Sequence, residues 1–314
     1  MLSHQLPNAA PPQTVSHGAT LRSLRFQEAL TAYVFLVPVF VGYALFVAGP
    51  LLFSLGLSLF EWDILRPPEF VGTANFERLL GDNTVHRSFQ NTLVFVVCLV
   101  GLNAIIALAL VALMQRPMWT ALSYFYRSVY FLPVITSTAS IAIVWAFLFH
   151  FELGIINYYL GRLGIEPVRW LQSSQWALWS IVIASVWKSV GFDFVIFLAG
   201  VQNIPRHLYE AAAIDGANGW QQFWKITLPM LTPTVFFAVV VGTIWALQVF
   251  DQPYIMTQGG PGDASRTVVL KLYEESFRAL RFGYGSAIAL ALFAVIMVVT
   301  AVQFRSSGRW VHYQ

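Results

Sequence analysis

Six stretches of this chain contain no Asp, Glu, Lys or Arg: residues 29–60, 88–115, 128–151, 170–187, 226–250 and 282–304. They are 32, 28, 24, 18, 25 and 23 residues long, nearly half of the 314 in the chain. A helix needs roughly 20 mostly apolar residues to cross the hydrocarbon core of a bilayer. Inside lipid every backbone N–H and C=O must find a partner in the protein, so continuous runs of this length form helices. The alternating pattern of a membrane β-barrel is absent. The sequence therefore predicts an all-α, polytopic membrane protein with six transmembrane helices, near residues 32–59, 91–114, 128–149, 176–200, 234–257 and 284–304. Pro38, Pro50 and Pro133 fall in or near span ends, where kinks are expected.

Composition closes other routes. Charged residues make up 11% of the chain, against roughly 25% in a soluble domain. This argues against a soluble enzyme, a disordered chain or a secreted disulfide scaffold. The one cysteine, Cys98, lies in the second apolar run, where a thiol behaves as a small hydrophobe. A net charge of +3 fits membrane anchoring better than nucleic-acid binding. The first run is too long for a cleavable signal peptide. Residues 1–28 read as a disordered tail, 29–304 as the transmembrane domain and 305–314 as a second tail. The histidines at 4, 17, 86, 150, 207 and 312 form no metal pattern, and Lys188-Ser189 follows Trp187 rather than glycine. With no phosphate-binding loop, the chain is not expected to hydrolyse ATP itself. Lysine and arginine divide eight to nine between alternate sides, which leaves the orientation open.

Three loops on one side read as short surface helices. Asn75 is placed to cap Phe76–Leu80, and residues 154–163 are amphipathic. Residues 269–280 set apolar positions at helical spacing, with the pairs Lys271/Glu275 and Glu274/Arg278 on the other face. Either headgroup-lying helices or a docking surface would give this pattern.

The most informative loop is 204–233. Pro205 suits the start of a helix over residues 206–215, with Glu210-Ala211-Ala212-Ala213 at its centre. Gly216 is a natural C-terminal stop. Asn218 and Gln221 have capping-box spacing for a second helix from Gly219 to about Leu228, ending near Pro229. The alanine run leaves a face of low bulk that another backbone could approach, although such helices also pack under their own bundle.

Polar residues within spans are candidates for function. Ser185, Lys188, Ser189 and Phe192 share a face of span four, with Asp193 adjacent. Span five offers Trp245, Gln248 and Asp251, and span three offers Thr136, Ser137 and Ser140. Hydroxyl-bonding groups beside aromatic faces suit a sugar. Serine and threonine also pack helix interfaces in membranes, and Lys188 and Asp193 fit a packing or anchoring role better than sugar binding.

Glu210-Ala211-Ala212 with Asp215-Gly216, then Ile226-x-Leu228-Pro229, resembles the EAA loop of binding-protein-dependent ABC importer permeases. Further features include Phe70-Val71-Gly72, Asn91-Thr92-Leu93, Phe131-Leu132-Pro133, Val186-Trp187-Lys188, Gly191-Phe192, Leu198-Ala199-Gly200 and Phe282-Gly283-Tyr284-Gly285. Together they resemble the carbohydrate-uptake branch, of the maltose and glycerol-phosphate type. Thr257-x-Gly259-Gly260-Pro261 resembles the larger of the two paired permeases. The resemblance covers about residues 30–305 and implies a type I ABC importer permease-like fold.

It further implies a bacterial or archaeal cell membrane, both termini cytoplasmic and the three short surface helices outside. It implies a second permease, two copies of an ATPase subunit, an extracytoplasmic solute-binding protein and a sugar-like solute in surrounding lipid. ATP and Mg would be bound by the ATPase, with no cofactor or metal in this chain and no nucleic-acid partner. Glu210, Ala211, Ala212, Asp215, Gly216, Phe223 and Pro229 would shape the ATPase interface. Ser140, Ser185, Ser189, Phe192, Trp245 and Gln248 would line the solute path. A self-contained secondary transporter is the competing class, and it would need two related repeats with matched broken helices, which the sequence does not display. The large extra periplasmic domain and additional N-terminal spans of some members are also absent.

Overall fold

The computed structural model describes residues 17–63, 65–114 and 120–311, so residues 1–16 and 312–314 of the expected tails lie outside the described residues. From His17 the chain is helical, including the rest of the stretch read as a disordered tail. The described residues fall into two units divided after Phe53. The first holds α1 (His17–Tyr43) and a π-helical turn, Ala44–Ala48. The turn leads into α2 (Gly49–Leu57), which runs on into the second unit. Glu28–Leu57 is long and apolar enough to cross a membrane, and none of its most apolar window is buried.

The second unit continues through β1 (Phe60–Glu61) and β2 (Glu69–Phe70), an antiparallel pair in which Phe60 faces Phe70. Next come α3 (Ala74–Gly81), α4 (Asn83–Met114), α5 (Thr120–Ile135), α6 (Thr138–Leu148) and α7 (Ile155–Arg162). Helix α8 (Ala177–Gln202) leads to α9 (Arg206–Ile214), α10 (Gly219–Gln222) and a π turn, Phe223–Thr227. The chain ends in α11 (Leu228–Leu247), α12 (Asp251–Met256), α13 (Val268–Tyr273), a π turn Glu274–Arg278, and α14 (Phe282–Ser307).

Helix α8 is central: 56% of its most apolar window is buried, against 17% for α14. Its Ile181, Phe194 and Phe197 pack in one apolar core with Phe95 of α4 and Ile288 of α14, all fully shielded. Among the described residues five helices have span length and apolarity, and the third expected span is a bent pair. Tyr124–Ile135 and Thr138–Leu148 meet at 100°. Proline has no N–H to donate, and the break falls three residues after Pro133.

Two further expectations are corrected by backbone geometry. Pro229 does not stop the second loop helix. Residues Gly219–Leu247 run on as one span-length helix, with Pro229 just after the π turn. A proline ring collides with the carbonyl four residues back, here Lys225, and the widened π turn opens that position. Pro50 follows the π turn Ala44–Ala48 in the same way. The fifth span also ends earlier than expected, at Leu247, so Asp251 stands in the first turn of α12 rather than on the same helix as Trp245.

Loops cluster where α4, α8 and α14 begin and α11 ends. Asn91 of α4 donates its Nδ2 to the carbonyls of Asp263 (2.7 Å) and Arg266 (3.0 Å), and the Val268 amide donates to the Thr92 hydroxyl at 3.0 Å. That pins the segment carrying Gly259-Gly260-Pro261. Thr73 stands at the N-cap position of α3 without a side-chain cap bond, and its hydroxyl donates instead to the Glu77 carboxylate at 2.9 Å. Asn75, expected as the cap, is instead buried and donates to the carbonyls of Ser58 (2.9 Å) and Phe60 (3.0 Å).

Candidate functional site

The loop between α8 and α11 forms its two helices largely through local capping. Helix α9 ends in a Schellman motif: Ala217 N–H donates to Ala212 O at 2.8 Å and Gly216 N–H to Ala213 O at 3.1 Å. Gly216 takes φ +80°, a conformation that costs other residues about 1–2 kcal/mol. Helix α10 opens with the expected capping box, Asn218 and Gln221 exchanging hydrogen bonds of 2.9 Å. Across the hinge the Tyr209 and Thr227 hydroxyls bond at 2.9 Å, fastening α9 to the base of α11. Behind the loop a cavity of about 1510 Å³, lined in part by Leu108, Ala112, Tyr209 and Trp224, separates it from α4.

Glu210, Ala211, Asp215 and Gly216 are exposed and Ala212 is half-buried. The surface is also apolar at its tip, where Ile214 is 87% and Trp220 66% exposed. Sequence reasoning passed over both, although a large apolar side chain beside a polar stop such as Asp215-Gly216 is a usable signal of contact. Phe223 is buried, stacked at 6.2 Å on Trp220, so it supports the loop from beneath. Pro229 is half-buried within the continuous helix.

The candidate path residues divide into two groups. Ser185 is buried, and Ser189 donates to its carbonyl at 2.7 Å. Asn103 of α4 donates to the Ser189 hydroxyl at 2.8 Å. Ser189 therefore joins α4 to α8, a packing role, while Ser185 is buried one turn earlier with its hydroxyl unpartnered. Phe192 and Trp245 meet across α8 and α11 with ring centroids 5.2 Å apart, and Trp245 is 60% exposed. Gln248, the C-cap of α11, is exposed and donates to Ile244 O at 3.1 Å. Ser140 is exposed on α6 just after the bend. Lys188 reaches Val134 O at 3.4 Å, and Asp193 is buried.

At the other end of the bundle charges are tied rather than free. Glu275 is 7% exposed and meets Lys271 (2.8 Å), Arg281 (3.3 Å) and Arg78 (3.8 Å). The Lys271/Glu275 pair forms as expected but is not on a solvated face. Glu274 pairs with Arg266 rather than Arg278. Asp82 caps α4, accepting from the amides of Thr84 (2.9 Å) and Val85 (3.2 Å) and from the Tyr284 hydroxyl (2.8 Å). Burial raises the Asp82 pKa, but the Tyr284 and Val85 hydrogen bonds, the Lys271 charge and the Thr84 amide outweigh it and hold the carboxyl below its ordinary value. Among the described residues no group of three His, Cys, Asp or Glu side chains could hold a metal ion.

Residues 106–311 match a family described as the binding-protein-dependent transport system inner membrane component. The chain is 36% identical over 299 residues to a probable ABC transporter permease protein, YesP, of Bacillus subtilis (strain 168), covering 93% of this chain and 95% of that one. It is 37% identical over 293 residues to the sn-glycerol-3-phosphate transport system permease protein UgpA of Yersinia enterocolitica, covering 92% and 93%. The fold matches a chain in the crystal structure of a bacterial ABC transporter involved in import of the acidic polysaccharide alginate, with a TM-score of 0.79 and 22% identity over 92% of this chain and 98% of that chain. The chain belongs to the family of binding-protein-dependent transport system inner membrane components and is a multi-pass permease subunit of an ABC importer.

Proposed function

We propose that this permease pairs with a second permease to form the path for a sugar or related polyhydroxyl solute, and that its 204–233 loop docks on a separate ATPase subunit at the cytoplasmic face. The loop carries the reading. Two short helices, each closed by its own cap, present Glu210, Ala211, Asp215 and the apolar Ile214 and Trp220 to solvent. The second is continuous with a span, so a push on α10 acts on α11 without an intervening flexible joint. In this arrangement both termini are cytoplasmic and two ATPase copies supply the energy, binding ATP and Mg. A solute-binding protein meets the opposite end, where α3, α7 and α13 lie. Curated relatives named for sn-glycerol-3-phosphate, lactose and sulfoquinovosyl glycerol transport support a polyhydroxyl solute.

Phe192, Trp245, Gln248 and Ser140 are the path residues this reading favours: an aromatic pair beside an exposed amide and an exposed hydroxyl. Ser189 holds α4 to α8 beside that path. The test is co-purification with a candidate ATPase subunit, followed by ATPase measurement in proteoliposomes with the binding protein added. Glu210→Arg is expected to leave insertion and assembly intact while abolishing stimulation. Normal transport by Glu210→Arg would refute the docking role, and solute movement by the isolated chain on an ion gradient would refute the importer reading.

A further inference from the structure

Lys188 sits near the middle of α8, at span depth, where a cation is costly unless it is held. What holds it is the end of a broken helix. A helix leaves its last carbonyls without intrahelical donors, and in lipid these must be satisfied by the protein. At the end of α5, the Leu132 carbonyl accepts from the Thr136 hydroxyl at 3.1 Å and the Pro133 carbonyl from the Thr136 amide at 3.2 Å. The Val134 carbonyl accepts from the Lys188 ammonium at 3.4 Å. A cation there also meets the negative end of the α5 dipole. Three residues on, the α8 backbone at Gly191 lies against Tyr130, and a Cβ there would stand 2.7 Å from the Tyr130 carbonyl carbon. Tyr130 and Phe194 close the contact with rings 5.7 Å apart.

The far arm of the elbow completes a strap. Helix α6 packs on α12, which follows α11 directly after Trp245 and Gln248. Besides meeting directly at Phe192 and Trp245, helices α8 and α11 are linked covalently through the α9–α10 loop and, by way of α12, through the α5–α6 elbow. Resting on the permease reading above, we propose that Lys188 is a positioning residue of transport. Its ammonium group fastens the elbow to α8, so that movement of α8 against α11 carries the elbow with it and keeps Phe192 and Trp245 in register. Lys188 then has no contact with solute. Its ammonium group is engaged by the Val134 carbonyl.

The experiment uses the assembled transporter in nanodiscs. The chain has one cysteine, so Cys98→Ala provides a background for spin labels at Phe131→Cys on α5 and Ile143→Cys on α6, both exposed positions. Lys188→Met is expected to broaden the label–label distance distribution, and Lys188→Arg to restore a single narrow one. Turnover should fall about tenfold in Lys188→Met, the scale of one lost charge-assisted hydrogen bond. The half-saturation constant for the loaded binding protein should stay within about twofold. Should Lys188→Met not accumulate, Lys188→Gln, which is neutral and shorter, is read the same way. An unchanged distance distribution in either neutral variant overturns the proposal. So does a raised half-saturation constant with an unchanged elbow, which would make Lys188 a solute ligand. The distance arm needs no transport, so it reads the elbow even if the permease reading fails.

Discussion

The contact between α5 and α8 at Gly191 makes a prediction that separates packing from propensity. An alanine there would drive its Cβ into the Tyr130 carbonyl oxygen, and place it 2.7 Å from the carbonyl carbon and 3.2 Å from Val134 Cγ2. Carbon atoms sit best at about 3.5–4.0 Å, so the helices must part by at least about 1 Å. Overpacking of this kind costs typically 1–3 kcal/mol. Gly242 in α11 is the matched control, because a Cβ there meets only Val100 Cγ2 at 3.7 Å. Alanine in a helix interior is favoured over glycine by roughly 0.5–1 kcal/mol, and Gly242→Ala keeps that gain. Gly191→Ala carries the same gain, which cancels in the comparison, so the two variants should differ by about 1–3 kcal/mol, with Gly191→Ala the weaker. The assay is thermal unfolding of the purified transporter in nanodiscs at one fixed scan rate, followed by tryptophan fluorescence, with apparent midpoints several degrees apart. If Gly191→Ala melts with or above Gly242→Ala, the close approach of α5 to α8 is wrong, and the elbow argument loses its anchor.

Asn75→Ala removes both bonds to the carbonyls of Ser58 and Phe60 and leaves buried acceptors. It should destabilise by about 2 kcal/mol in chemical denaturation, whereas replacing a mere helix cap residue would cost about 1. The Asp82 carboxyl titrates below its ordinary value of 3.8, so its stabilisation is present above that value and is lost as pH falls through the lowered one. Asp82→Asn should flatten the acid limb of the stability profile, and an unaltered limb would contradict the α4 cap. Trp245→Ala removes an exposed aromatic face worth about 1 kcal/mol and should raise the transport half-saturation constant roughly fivefold. An unchanged constant with lowered turnover would move Trp245 from the path to the packing.

What could be read from the sequence was what is local. Charge-free runs located the span-length helices because burial in lipid is a property of each helix alone. Gly216, Asn218 and Gln221 were legible because caps act within four residues. Pro229 misled because a π turn has no residue signature of its own. Asn75 looked like a cap, yet its partners lie 15 and 17 residues away and come near only when β1 folds back. Ser189 and Phe192 share a helical face by count, but the neighbours of α8 decide which meets Asn103 and which meets Trp245. Glu275 read as solvated because i,i+4 pairing does not report the arginines that arrive from α3 and α14.

The central claim is that the 204–233 loop is where an ATPase grips this chain. Its most direct test is site-directed cross-linking in the Cys98→Ala background, with Ala211→Cys in the exposed centre of α9 and a cysteine in the docking cleft of the ATPase subunit. A cross-link that forms in the assembled transporter, changes in yield when ATP is bound and stops transport is the predicted result. Transport that proceeds with Ala211→Cys never approaching the ATPase would contradict it.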